Sequence, residues 1–232
     1  METYQIIVDE DKLKEFIEWL PDLEDHETYY CTLFARSKYS KLVKAGDKQQ
    51  IKSFTSSKPR LLNKIKQLET KVGTYLNRDK ITGEDVAIPQ EALAFYISIN
   101  PRDFIKATRE SLIEFARLVT SNYNGYNPHK KVLSHIQQSF SRKVYTEFDF
   151  DKVPYEYVKE EAEKVLSKDC LNYMITRGGV HVLVDLKKVD NSKNKFWYSQ
   201  MTQIEGYDKT GTDLIPVAGC YQGGFTPILV KA

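Results

Sequence analysis

The 232 residues carry 34 Lys and Arg against 32 Asp and Glu, a formal charge of +2. The chain can therefore bury a substantial core, and it lacks the global positive charge by which a histone-like protein holds nucleic acid, so any surface for a polyanion must be local. Cys31, Cys170 and Cys220 are far apart with no C-x-x-C pair, which argues against a zinc ribbon and against a disulfide framework. A reducing cytoplasm, bacterial or host-cell, is the expected setting. The opening stretch "METYQIIVDEDKLKEFIEWL" has acids where a signal peptide needs a basic start, and no run approaches the length of a membrane span, so no membrane partner is expected.

In chain order, "YYCTLFARSKY" (29–39) is rich in aromatic and β-branched residues and reads as a strand. The stretch "KPRLLNKIKQLETKVGTYL" (58–76) places Leu61, Leu62, Ile65, Leu68 and Val72 at helical spacing, predicting one long helix. "ALAFYISI" (92–99) is a second strand ending at Asn100-Pro101. Pro101 or Asp103 then opens a helix whose apolar stripe is Phe104, Ala107, Leu112, Phe115, Ala116 and Val119. "SNYNGYNPHKK" (121–131) is turn chemistry and divides the chain into subdomains of residues 1–140 and 141–232.

The second part has a compact order. "KVYTEFDFD" is a strand, Pro154 starts a helix through "YEYVKEEAEKVL", "LNYMIT" is a strand, Arg177-Gly178-Gly179 is a tight turn and "VHVLVDL" is another strand. The fold class is thus α+β: an N-terminal α/β unit packed on a C-terminal β-α-β-β unit that is ferredoxin-like, or RNA-recognition-motif-like, the two sharing one cleft.

Period-two alternation puts Asp149 and Asp151 on one face of "YTEFDFD" and Phe148 and Phe150 on the other. Two carboxylates so close repel each other unless solvent or a cation compensates, and hard divalent cations take oxygen ligands. A solvated acidic edge is the plainer reading of a D-x-D alone; the flanking phenylalanines and the position at a strand end favour a site. His181 opens the last strand, and Thr176, Arg177 and the Gly178-Gly179 amides upstream could form a concavity for an anion. The glycines equally suit a hairpin. A two-metal site would need a third acid, for which Asp185, Asp208 and Asp213 are candidates.

The order F-D-F-D, helix, "TRGGVHVLV", then an acid followed by "LIPVAGCYQGGF", resembles the catalytic core of the archaeo-eukaryotic primase superfamily, of the phage or mobile-element type. The resemblance covers roughly residues 90–230, and its specificity lies in the ordered set of three short motifs. Asp149 and Asp151 match the first, Gly179-Val180-His181 with Thr176 upstream the second, and Tyr207-Asp208 the third, with Asp213 the alternative third acid. Basic residues that often precede the family's "PG"-type turn are missing from Leu214 to Val217. Gln222, Lys209, Arg177 and Arg142 are unranked substitutes.

The resemblance implies a template-dependent nucleotidyltransferase that makes primers or extends DNA or RNA. Asp149, Asp151 and Asp208 would coordinate two Mg²⁺ or Mn²⁺ ions, and Thr176, Arg177, Gly179 and His181 would bind the incoming nucleotide. The implied partners are a single-stranded DNA template, nucleoside triphosphates and a separate helicase. The lysine-rich stretch 37–60 is a candidate template face, or an ordinary solvated surface. Two alternatives from other classes are a metal-dependent nuclease and a non-catalytic nucleic-acid-binding replication accessory protein.

Overall fold

A computed structural model describes residues 2–43, 48–78, 83–121, 127–209 and 213–231. The elements in order are α1 (Glu10–Trp19), β1 (Glu27–Arg36), β2 (Lys48–Ser56), α2 (Leu61–Lys66), β3 (Leu76–Arg78), β4 (Asp85–Ala87), β5 (Leu93–Ser98), β6 (Arg102–Asp103), α3 (Phe104–Val119) and α4 (Pro128–Gln138). Then follow β7 (Tyr145–Asp151), α5 (Tyr155–Val165), β8 (Leu171–Ile175), β9 (Gly179–Asp185), α6 (Trp197–Met201), β10 (Tyr207–Asp208), β11 (Leu214–Pro216) and β12 (Ile228–Val230). The protein is mixed α+β, and its sheets are antiparallel.

One sheet has the order β11-β5-β1-β2, with β6 pairing the start of β1; a second has the order β10-β7-β9-β8-β12; β3 and β4 form a separate hairpin-like pair. β1 is buried on both sides, which is why its sequence is almost continuously apolar. Tyr29, Cys31, Leu33 and Ala35 point into the largest core, while Tyr30 and Phe34 pack on the other side against Ala107 of α3 and Ile136 of α4.

In the second sheet the alternation of β7 does what its sequence demands. Phe148 and Phe150 are fully buried with Val180, Val182 and Trp197 beneath α5 and α6. Each such ring contributes about 1.5–3 kcal/mol by leaving water. The opposite face splits into two regions: Tyr145, Met174 and Leu183 join the largest core, and farther along the strands the polar residues begin. Asn100 ties the sheets together. Its Oδ1 accepts from the backbone N–H of Val144 (2.8 Å) and Tyr145 (2.9 Å), and its Nδ2 donates to the Tyr145 carbonyl (3.0 Å). The C-terminal segment serves both sheets, since β11 pairs β5 and β12 pairs β8.

Three expectations are corrected. The helix expected over 58–76 is confined to α2 after a 3₁₀ turn at Lys58–Arg60. Beyond it the N-terminal segment captures the backbone: Tyr4 N–H donates to Thr70 O, Val72 N–H donates to Glu2 O, and the Glu69 carboxylate accepts from Ile6 and Ile7. Long-range bonds there outweigh helical periodicity. The stripe expected on α3 is only partly buried, because small Ala107 and Ser111 face inward while Leu112 and Val119 are exposed. In the stretch 121–131, residues 122–126 lie outside the described residues, Ser121 closes the end of α3, and residues 127–131 open α4, with Asn127 capping Lys130 N–H at 3.1 Å and Pro128 in the first turn.

Candidate active site

The register of the second sheet sets three chemistry-bearing residues in one row. Asp208 of β10 pairs with Asp149 of β7, and Asp149 pairs with His181 of β9. Cross-strand partners share a face, so these side chains project to the same side, away from the phenylalanine core. Asp151 lies two residues farther along that face, opposite Gly179.

Gly179 is required for space. A β-carbon there would stand 1.9 Å from the Phe150 carbonyl oxygen, so a side chain would force β7 and β9 apart beside Asp151. Gly178 has no such constraint, its β-carbon position lying 3.6 Å from Asp151 Oδ1 and 3.8 Å from Lys38 Nζ. The strand ends in a fixed bend: Asp151 N–H donates to Gly206 O, Lys152 N–H donates to Gly178 O, and Lys152 takes the left-handed conformation with φ 61°.

His181 Nδ1 lies 2.6 Å from Glu147 Oε1 and 3.6 Å from Asp149 Oδ1. The imidazole and the Glu147 carboxylate are 10 % and 7 % exposed. Burial pushes the Glu147 and Asp149 carboxyls upward, against the pull of His181. For His181 burial works downward, but the hydrogen bond and charge of Glu147, with the charges of Asp149 and Asp151, prevail and raise it. Glu147 was not expected from the sequence, although it shares the face of Asp149 and Asp151 by the same period-two count.

Beside this row is a polar cavity of about 200 Å³, with Glu147, Asp149, Asp208 and Asp213 among its lining and Lys143 and Lys209 as its cations. Asp213 also lies 4.0 Å from Arg102 Nη2, whose guanidinium is 1 % exposed and stacks 3.8 Å from the Phe140 ring centroid. On the other side of Asp149 the charges are positive. Burial lowers the Lys38 pKa, assisted by Arg36 and Arg177, while Asp151 and Asp149 oppose the shift. Arg177 stacks 4.5 Å from the Tyr39 ring centroid and its guanidinium donates to the Gly223 carbonyl. Lys38 thus lies beside the acids.

Other sequence candidates are engaged elsewhere. Thr176 Oγ1 accepts from the N–H of Gly178 (3.3 Å) and Gly179 (3.2 Å), so both amides brace the turn. Gln222 Oε1 accepts from Arg177 N–H at 2.9 Å. Arg142 pairs with Glu27, Nε to Oε1 at 3.0 Å and Nη2 to Oε2 at 3.1 Å. Asp185 is opposite Tyr145, at the far end of β9 from the acid row. Residues 210–212 lie outside the described residues.

The donor set of Asp149, Asp151 and Asp208 is all oxygen, as Mg²⁺ and Mn²⁺ require. A single ion at about 2.1 Å from each ligand would hold those oxygens within roughly 4.2 Å of one another, whereas two ions about 3.5–4 Å apart spread them farther. Among the described residues the three aspartates do not offer ligand atoms all within 4.8 Å of one another. Glu24, His26 and Glu27 do meet that distance, but Glu27 already accepts from Arg142 and from Glu24 N–H (2.9 Å), which makes the group a structural knot.

No protein-family model, no curated protein and no solved structure matches the chain. The class that fold and site define is therefore a mixed α+β protein with an acid-and-imidazole row beside a small polar cavity. Cys31, Cys170 and Cys220 are buried and unbridged, and among the described residues no helix is long and apolar enough to cross a membrane.

Proposed function

We propose that the chain is a metal-dependent nucleotidyltransferase of the archaeo-eukaryotic primase superfamily, which joins nucleotides on a single-stranded template. The observation that carries this reading is the row Asp208–Asp149–His181 on three adjoining strands, with Asp151 on the same face. The strand order β10-β7-β9-β8, with α5 between β7 and β8, supports an RNA-recognition-motif-like unit, since it is the order in which a split β-α-β unit places its four strands. The cleft then lies where the end of β1 meets the polar face of that unit.

In this reading Asp149, Asp151 and Asp208 would hold two Mg²⁺ or Mn²⁺ ions, which would supply activation of a 3′-hydroxyl and charge neutralisation for the leaving pyrophosphate. His181, Lys38 and Arg177 bind and orient the triphosphate, as their position on the other side of Asp149 from the acidic cavity favours. The Thr176 hydroxyl keeps the Gly178-Gly179 turn, and so His181, in place. The partners are a single-stranded DNA template and nucleoside triphosphates, with a separate helicase to open the duplex.

The test is incubation with a single-stranded template, labelled nucleotides and Mn²⁺ or Mg²⁺, beside an Asp149→Ala/Asp151→Ala variant. Template-dependent product, lost in the variant, is expected. Shortening of the template without incorporation would make the protein a nuclease; template binding without either reaction would make it an accessory binding protein.

A further inference from the structure

Glu147 has no part in the three-motif pattern, yet its carboxylate is 7 % exposed against 20 % for Asp149. Its contact with His181 is unusual in what it competes with. Nδ1 stands between two carboxylates, 2.6 Å from Glu147 and 3.6 Å from Asp149, so its hydrogen bond is to Glu147. The difference of an ångström separates a strong hydrogen bond from none. No described residue bonds Nε2.

We infer that Glu147 is a positioning residue that holds the imidazole of His181 off Asp149, leaving the Asp149 oxygens to a divalent cation and Nε2 to the nucleotide. The inference rests on the metal-dependent reading above. Remove the Glu147 carboxylate, and the next carboxylate oxygen for the Nδ1 proton is Asp149 Oδ1 at 3.6 Å, a few tenths of an ångström beyond bonding range. The imidazole then turns to Asp149 and competes with the cation for the same oxygen. Partners that orient ligand groups in this indirect way typically alter metal affinity by about 10–100-fold when removed.

The experiment measures Mn²⁺ binding by electron paramagnetic resonance titration, without nucleotide, on the wild type and on Glu147→Ala, Glu147→Gln, His181→Ala and Glu147→Ala/His181→Ala. Glu147→Ala is expected to weaken Mn²⁺ binding about tenfold or more. Glu147→Gln, whose amide oxygen still accepts from Nδ1, should stay within about threefold of the wild type. The double variant should recover most of the loss, because no imidazole remains to occupy Asp149; a role in folding alone gives no such recovery. In parallel, the ¹⁵N spectrum of His181 in the metal-free protein, assigned with His181→Ala, should show a protonated Nδ1 in the wild type and change in Glu147→Ala.

If the wild type binds Mn²⁺ and Glu147→Ala binds it equally well, or the double variant is as weak as the single one, the positioning role falls and the transferase reading stands. If the wild type binds no Mn²⁺, the positioning role falls together with the transferase reading. Circular dichroism on each variant separates unfolding from lost affinity; should the Ala variant fail to fold, a loss of more than about threefold in Mn²⁺ affinity in a folded Gln variant, or a His181 ¹⁵N spectrum without a protonated Nδ1 in the wild type, overturns the positioning role.

Discussion

Asp208 pairs directly with Asp149 across the β10–β7 ladder, whereas Asp213 lies 4.0 Å from the buried guanidinium of Arg102. Both acids line the same cavity, but only Asp208 belongs to the row that includes His181. Asp213 compensates a buried cation with two unbonded N–H groups, Nε and Nη1, and so has a structural duty. Asp208→Ala is therefore expected to abolish nucleotide incorporation, by a factor of at least about 10³. Asp213→Asn should instead lower the melting temperature and leave kcat within about tenfold. Steady-state incorporation and thermal melts on the two variants check this.

Asp149 is costly to keep ionised. Burial raises its pKa above the ordinary carboxylate value, and the charges of Asp151 and Asp208 add to the shift. A group whose pKa is raised on folding contributes stability below its unfolded value and loses that contribution as pH rises through the folded value. Asp149→Asn should thus raise the melting temperature at pH 7–8, by about 2–4 °C for each kcal/mol recovered, and the gain should shrink toward pH 4. Mn²⁺ added to the wild type should raise it in the same direction. A melting temperature unchanged or lowered by Asp149→Asn at pH 8 would contradict this account.

Gly179→Ala drives a methyl group into the Phe150 carbonyl, where only 1.9 Å is available. The strands flanking Asp149 and His181 must separate, at a cost of about 1–3 kcal/mol or more. Gly178→Ala meets nothing closer than 3.6 Å and should be nearly neutral for stability. Denaturant unfolding of the pair gives the contrast.

Lys38 is held near Asp151 and Gly178 by the turn after β1. If it binds the triphosphate, Lys38→Ala raises KM for nucleotide about tenfold, and kcat changes less because the acids are untouched. Template affinity, measured by fluorescence anisotropy in the absence of nucleotide, should be unaffected. Loss of template affinity with unchanged KM would return Lys38 to the template face that the lysine-rich stretch 37–60 suggested.

Asn100 makes three bonds to the first residues of β7 while only 1 % exposed. Asn100→Leu leaves two backbone N–H groups and a carbonyl without partners, each costing about 1–3 kcal/mol. The variant should unfold at markedly lower denaturant concentration, and Asn100→Asp, which keeps the acceptor, should fall between the two.

The order of β7, α5, β8 and β9 was legible in the sequence, because β7 alternates on a period of two, Pro154 marks the helix start and Arg177-Gly178-Gly179 the turn, whereas α6 and β10 to β12 carry no such local signal. That the D-x-D faces away from the two phenylalanines follows from period two alone, and the burial of Phe148 and Phe150 bears it out. The N-terminal part was less legible. The helix over 58–76 looked continuous because its apolar spacing persists to Val72, but Glu69 and the backbone from Thr70 onward are engaged by residues 2–7, a pairing that no local pattern signals.

What the sequence determined by itself is local: which residues alternate, where turns fall, and that Glu147, Asp149 and Asp151 share a face. What only the tertiary structure decided is juxtaposition. Strand register sets Asp208 and His181 on either side of Asp149, the turn after β1 carries Lys38 to Asp151, and Glu147 rather than Asp149 lies within hydrogen-bond distance of His181 Nδ1. The physical reason is that periodicity fixes the direction of a side chain relative to its own strand. Its neighbours across the sheet depend on hydrogen-bond register and on contacts between residues more than thirty positions apart, which the packing of the whole chain selects.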